Sequence, residues 1–391
     1  MVKIAFLLNY PTSYKAAINY FRNLFYAIDK HLQDKVEIIL YVPDNIENEY
    51  LEIYSPYAKI IKTDILRRNS LSWFIDKIGQ KSFDKNILLE KLLIDSKIDI
   101  VSHSSFISKK IKTINWIMDF QHNHFYNLWT DKELQATKKF LDRLIMKSDG
   151  IFLSSDSAFQ DYKTDYLNES DKVNILHFVC QPQQDISKRM TESEEKELLD
   201  KYNINRPFFY LPNQFWSHKN HMVVFKAIKK LKDQGYNPLL ITSGLMHDFR
   251  KKMSHITDLQ SYVKDNNLKS NIFLLGLIPY QDVLSLITLS ACVINPSLFE
   301  GWSSTVEESK TMGKRLILSD IQVHREQNPE FGFYFDPLNT EQLSILMEKV
   351  INDDLKINSL TQEELNVNLQ KRTKKFANDF LNGVRNVLDK K

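Results

Sequence analysis

The sequence predicts an α/β protein of two Rossmann-like domains, their mostly parallel sheets facing one another across a cleft. Three observations predict it. The chain has 391 residues, more than one ordinary core accommodates. Short apolar runs alternate with helix-period stretches throughout, the pattern of strand–helix–strand units. The polar segment 181–205 interrupts that alternation once, so the domains are expected at 1–185 and 186–370, with 371–391 a C-terminal helix packing back toward the first domain.

Strands of the first half are expected at Lys3–Leu8, Val36–Val42, Ile98–His103, Thr113–Met118, Gly150–Ser154 and Val173–Phe178. A loop at Asn9–Ser13 leads into a helix whose apolar face is Ala17, Tyr20, Phe21, Leu24 and Ile28, a 3.6-residue period. A capping box at Thr191–Glu194 opens the second half. Strands follow at Pro207–Leu211, Pro238–Thr242, Asn271–Leu275, Cys292–Asn295, Arg315–Leu318 and Gly332–Phe335, with a helix carrying Val224, Ile228 and Leu231 among those between them. A polar helix pair, the last member capped at Thr361–Glu364, closes the chain.

Composition excludes several function classes. Hydrophobic residues make up 43% and net charge is +3, which argues against disorder and against a nucleic-acid partner. Two separated cysteines, Cys180 and Cys292, suit neither a disulfide framework nor a zinc site and fit a reducing compartment. No secretory signal opens the sequence, and no apolar run approaches the roughly 20 residues of a membrane span. A cytoplasmic protein is expected.

In parallel sheets, ligands gather beyond the carboxyl ends of the strands, so the loops there carry the signal. Of nine glycines, Gly244, Gly276 and Gly301 each follow a strand of the second half. Glycine lets backbone approach a ligand, although turn chemistry alone also accounts for each one singly. The richest segment is Asn295-Pro296-Ser297-Leu298-Phe299-Glu300-Gly301-Trp302-Ser303-Ser304-Thr305-Val306-Glu307-Glu308. A strand ends, a glycine turn follows, and a helix starts near Ser303 or Ser304, whose free N–H groups suit a phosphate. Glu300 and Glu308 suit hydrogen bonding to paired sugar hydroxyls. Glu307, spaced from Ser304 as in a capping box, is the acid that structure alone explains.

Glu300 and Glu308, with seven residues between them after Pro-Ser-x-x, resemble the E-x7-E signature of retaining glycosyltransferases of family 4 with the GT-B fold. The resemblance implies that Glu300 orients the donor sugar, Glu308 binds the ribose, and Ser304 and Thr305 contact phosphate. Lys219, in Trp216-Ser217-His218-Lys219-Asn220, matches the family's lysine at a helix mouth, where it stabilises a leaving diphosphate; Asn220 is the expected N-cap. Asn213 stands where the family has arginine six residues earlier. The Gly276-Leu277-Ile278-Pro279-Tyr280 loop resembles the one that reads the nucleotide base.

In the first half, Asp119-Phe120-Gln121-His122-Asn123-His124 resembles the loop bearing the family's active-site histidine, a role carried to His122 ahead of His124. A loop histidine satisfied by Asp119 is the other reading. Ala16-Ala17-Ile18-Asn19 replaces the family's Gly-Gly, leaving Asn19 as a polar contact. The stretch Leu66–Phe83 joins Arg67, Arg68, Lys77 and Lys81 to Leu71, Trp73, Phe74 and Ile78. A solvated helix with a buried apolar face is preferred there over one resting on anionic headgroups.

The implied activity is metal-independent transfer of a hexose-type sugar from a UDP- or GDP-sugar, with no other cofactor, to a glycan or polyprenyl-linked acceptor in bacterial surface polysaccharide synthesis, such as lipopolysaccharide or capsule. Peripheral contact with the inner membrane face is an added option. Two rivals are a nucleotide-sugar epimerase of the same fold and a non-catalytic subunit of a polysaccharide assembly complex.

Overall fold

The computed structural model describes residues 1–8, 15–181, 190–248, 254–355 and 360–390. The expected loop at Asn9–Ser13 and the boundary at 185/186 lie outside them. The chain divides into two compact units. One comprises 1–123, 130–179 and 370–391, the other 124–129 and 180–369.

The first unit is built on a seven-stranded sheet: β1 (Val2–Leu7), β2 (Val36–Pro43), β3 (Lys59–Thr63), β4 (Ile100–Ser102), β5 (Lys112–Ile117), β6 (Gly150–Leu153) and β7 (Val173–Ile175). Its order is β3-β2-β1-β4-β5-β6-β7, and every pair is parallel. Helices cover both faces of such a sheet, which is why Ile4, Ala5, Phe6 and Leu7 are all buried rather than alternating. The helix Lys15–Leu32 buries the whole expected face, Ala17, Tyr20, Phe21, Leu24 and Ile28.

The closing helices are less polar inside than expected. Helix Thr340–Ile351 buries Leu343, Met347 and Val350, and helix Gln362–Leu388 buries Phe376, Phe380, Val384 and Val387. Phe380 stacks 6.1 Å from Phe6 and 5.5 Å from Phe152. Both expected capping boxes form: Thr191 with Glu194, and Thr361 with Glu364.

One element reverses its expectation. Helix Leu71–Phe83 turns Asp76 and Gly79 inward and leaves Leu71, Phe74 and Ile78 in solvent. The cause is local. The Asp76 carboxylate accepts the Leu88 amide at 2.7 Å and the Leu89 amide at 3.2 Å, satisfying the orphan N–H groups that open helix Ile87–Asp95. The face that carries Asp76 must therefore point into the unit.

The second unit holds six strands: β8 (Phe209–Leu211), β9 (Leu240–Thr242), β10 (Ile272–Leu274), β11 (Cys292–Asn295), β12 (Leu316–Ser319) and β13 (Gly332–Phe335). Their order is β10-β9-β8-β11-β12-β13, again all parallel. Two apolar layers flank the sheet, one around Phe225, Ile228 and Met347, the other around Tyr210, Leu286 and Val306. From β8 the chain winds outward to β10, then returns to the far side of β8 as β11. The winding reverses between β8 and β11, which makes the loops after these two strands the walls of the crevice where such sheets bind ligands.

Candidate active site

Those two loops carry Lys219 and Glu300. After β8 the chain passes through Asn213 and a short 3-10 turn, Ser217–Lys219, into helix His221–Asp233. After β11 it passes through Ser297 and Glu300 into helix Ser304–Thr311. Hydrogen bonds tie the loops together. Asn213 Nδ2 donates to Asn295 Oδ1 (2.9 Å), Thr305 Oγ1 donates to Asn213 Oδ1 (3.2 Å), Leu298 N donates to His218 O (2.8 Å), and Lys219 Nζ donates to Glu300 Oε1 (2.7 Å).

The Lys219–Glu300 pair is the electrostatic centre. Its side chains are 13% and 8% exposed, little enough for solvent to screen them weakly. Burial pushes the Glu300 carboxyl up, but the Lys219 ammonium, followed by His324 and by hydrogen bonds from Lys219 and Ser297, more than reverses this and holds it at about 2. His324, on helix Gln322–Gln327, is fully buried, and its Nδ1 bonds the Ser319 carbonyl at 2.9 Å. Burial depresses its basicity against the pull of Glu300, so near neutral pH it is an uncharged neighbour. His221, stacked 4.4 Å from Phe215, is also kept neutral, its pKa lowered to about 3 by burial.

Glu308, on the fifth residue of its helix, accepts the Tyr280 hydroxyl at 2.7 Å. Tyr280 opens helix Tyr280–Leu289 just beyond Gly276, so the expected base-reading loop and the expected ribose acid meet. Ser303 caps the Ser304–Thr311 helix by accepting the Val306 amide. Ser304 is exposed there; Thr305 is buried and engaged with Asn213. Gly244 approaches the Asn213 carbonyl so closely that a Cβ would lie 2.4 Å from its oxygen, and its φ of +146° excludes other residues. Its amide donates to the Gly276 carbonyl at 2.8 Å. Gly276 has a φ of +68° and open space beside it, and Gly301 is half-buried.

Two local expectations are corrected. Asn220 occupies the N-cap position but does not cap with its side chain; it stands in the left-handed region and donates to the carbonyls of Pro296 (3.2 Å) and Pro337 (2.8 Å). Glu307 makes no capping box with Ser304. It pairs with Lys310 at 3.2 Å and accepts from Gln327 at 3.1 Å.

Sequence reasoning passed over the buried polar net beneath Glu300. Asn295 Nδ2 donates to Ser303 Oγ at 2.8 Å and reaches Glu300 at 3.4 Å, and Ser297 Oγ donates to Asn295 Oδ1 at 2.7 Å. Ser319 Oγ donates to the Ser297 carbonyl at 2.5 Å. The available signal was the run of polar residues, Asn295, Ser297 and Ser319, at the ends of otherwise apolar strands.

His122 and Asn19 belong to the first unit. His122 lies half-buried in the short helix Gln121–His124, its ring 6.1 Å from that of Phe120. Asp119 accepts the Gln121 amide at 2.9 Å. Asn19 is half-buried on helix Lys15–Leu32. His124 groups with the second unit, its ring 4.7 Å from that of Phe299.

Two parallel α/β sheets, the second with a cation and two acids around its switch point, define a protein of the GT-B glycosyltransferase architecture. A glycosyltransferase from Rickettsia africae shares this fold with a TM-score of 0.63 at 16% identity, covering 100% of this chain and 96% of that one. Anabaena HepE, solved with UDP and glucose, does so with a TM-score of 0.63 at 11% identity, covering 100% and 98%. The sequence pattern described as Glycosyl transferases group 1 matches residues 194–376. Lys219, Glu300 and Glu308 all lie inside the matched residues. Alpha-D-kanosaminyltransferase of Streptomyces kanamyceticus is 19% identical over 212 residues, 54% of this chain and 53% of the relative, so the match spans about half the length of that curated relative.

Proposed function

We propose that the chain is a retaining glycosyltransferase of the E-x7-E type that moves a hexose-type sugar from a UDP- or GDP-sugar to a glycan or polyprenyl-linked acceptor in surface polysaccharide assembly. It works in the cytoplasm, with peripheral contact at the inner face of the membrane. The observation that carries the reading is the buried Lys219–Glu300 pair at the switch point of the second sheet, inside the residues that match the group 1 glycosyltransferase pattern. An ion pair largely withdrawn from solvent beside a helix start is suited to exchange partners. The donor diphosphate takes Lys219 and the Ser304 helix start, and Glu300 turns to the sugar hydroxyls.

Glu308 takes the ribose with Tyr280 steadying its carboxylate, and the Gly244 and Gly276 loops supply backbone contacts to the nucleotide. As the glycosidic bond to the diphosphate breaks, Lys219 stabilises the charge on the leaving group. The acceptor hydroxyl attacks from the same face, with its proton passing to that leaving group. His122 takes the role the family resemblance implies, a hydrogen bond to the sugar or the acceptor, and Asn19 that of a polar contact. No metal is needed, because the lysine and the helix start meet the diphosphate charge.

The test is a thermal-shift screen with UDP- and GDP-sugars in the presence of EDTA. A donor at 100 times its Kd raises stability by about 2.7 kcal/mol, and Lys219→Ala abolishes the shift. If no sugar nucleotide shifts the transition, donor binding and the transfer reading both fail. Release of epimerised sugar without an acceptor would instead identify the epimerase.

A further inference from the structure

Helix Leu71–Phe83 presents its two faces the wrong way round for a helix that only packs on its own unit. At 100° per residue, Leu71, Phe74, Ile75 and Ile78 fall within an arc of about 100°. These four are 76%, 48%, 41% and 63% exposed. The buried side carries Asp76, which caps the next helix, and Gly79, where a Cβ would lie 3.3 Å from the Ile87 side chain. Ile87, itself 49% exposed, extends the apolar surface onto helix Ile87–Asp95.

Charge around this arc is one-sided. Residues 67–85 contain Arg67, Arg68, Lys77, Lys81 and Lys85 against Asp76 and Asp84. Both acids are engaged: Asp76 with the Leu88 and Leu89 amides, Asp84 with Arg143 and Lys147. Arg67 pairs with Asp44. Among the described residues, Arg68, Lys77, Lys81 and Lys85 have no carboxylate partner, and Lys77 lies 5.6 Å from the centre of the Trp73 ring. Lys81 and Lys77 flank one edge of the apolar arc, where long side chains can reach out while their stems lie along apolar surface.

We infer that helix Leu71–Phe83 is an interfacial anchor, laying Leu71, Phe74, Ile75 and Ile78 among the acyl chains of an anionic bilayer while Lys77, Lys81 and the neighbouring cations meet its headgroups. The charge selects this occupant: a second copy of the same patch would bring like charges together, whereas an anionic lipid surface neutralises them. The inference rests on the transfer reading above for its purpose, bringing the site to a lipid-linked acceptor, and gives the expected peripheral contact a place in the fold. Among the described residues no helix is long and apolar enough to cross a membrane, so the contact is one of lying on the surface.

The full chain is co-sedimented with vesicles of phosphatidylcholine alone and of phosphatidylcholine with phosphatidylglycerol. Binding is expected to the anionic vesicles and to fall with ionic strength. Each cation near the surface contributes about fivefold to partitioning, so Lys77→Glu/Lys81→Glu should weaken binding about 25-fold or more. Phe74→Glu/Ile78→Glu should remove it. Both pairs sit on exposed positions and should leave the thermal transition in place, and Lys269→Glu, exposed in the second unit, should bind as the parent does. Failure of the parent chain to bind anionic vesicles, equal binding by the Phe74/Ile78 variant, or a dimer in sedimentation velocity that this variant dissolves would each overturn the anchor. A chain that shifts its melting with a sugar nucleotide yet ignores vesicles loses only the anchor; one that binds vesicles yet answers to no sugar nucleotide loses only the transfer reading.

Discussion

Lys219 and Glu300 form a single pair that bears on stability and, in the proposed transfer, on function. Removing one partner strands the other charge in a dry loop junction, which costs about 3–5 kcal/mol, whereas removing both is far milder. Lys219→Met and Glu300→Gln should therefore each lower the unfolding free energy, and the double variant should lose clearly less than their sum, a coupling of at least about 1 kcal/mol in urea unfolding. Because the folded carboxyl sits near 2, below its ordinary 4.5, it contributes roughly 3 kcal/mol. That contribution is complete above about pH 4.5 and is lost as pH falls toward 2, so the advantage over Glu300→Gln should shrink in that window. Transfer by either single variant should fall about 10²–10³-fold. Additive losses in the urea cycle would mean that the two charges are not a unit. These two residues were legible in the sequence because their loops carry recognisable spacing. His324 was not, since its approach to Glu300 depends on β12 lying beside β11, which no local pattern encodes.

Elements were legible where one period dominated. The Lys15–Leu32 helix announces five of its inward positions at a 3.6-residue spacing, and the apolar strands of both sheets read as buried runs because helices cover both their faces. β3 was not anticipated: Lys59-Ile60-Ile61-Lys62-Thr63 is short and charged, as an edge strand that must stay out of solution pairing tends to be. Helix Leu71–Phe83 misled in a different way. Its period was clear, but the inward face was decided by the hydrogen-bonding demand of the next helix, met by Asp76, rather than by hydrophobicity. Glycine on the C-terminal helix has a reason of the same tertiary kind. A Cβ on Gly383 would fall 2.4 Å and 2.7 Å from two ring carbons of buried Phe152. Alanine favours a helix interior over glycine by about 1 kcal/mol, while forcing a rigid buried ring aside costs about 1–3 kcal/mol. Gly383→Ala should be net destabilising, by up to about 2 kcal/mol, and a rise in melting temperature would show that the Phe152 ring yields freely.

Two domains and a last helix returning to the first were expected from length, one polar linker and the closing helix pattern; the placement of 124–129 with the second unit was not. That 370–391 joins the first unit, and 124–129 the second, follows from side chains such as Phe380 and Phe299 meeting partners hundreds of residues away or on another strand's loop. Each unit has apolar clusters of its own, around Tyr41, Val101 and Leu144 in one and around Phe225 and Val306 in the other. Ligand binding confined to the second sheet should therefore be felt unevenly along the chain. A sugar nucleotide at 100 times its Kd stabilises the unit that binds it by about 2.7 kcal/mol, which slows exchange of amides that open only with that unit by about 100-fold. The protection should centre on the loops after β8 and β11, residues 212–221 and 296–311, and on 276–280. The helix Leu71–Phe83 should exchange as before, because nothing in the donor's chemistry reaches an apolar arc. Hydrogen exchange with and without the donor reads this residue by residue. Protection that is weak in those loops and strong in the first sheet would mean that the nucleotide binds elsewhere, and that Lys219 and Glu300 hold each other for stability alone.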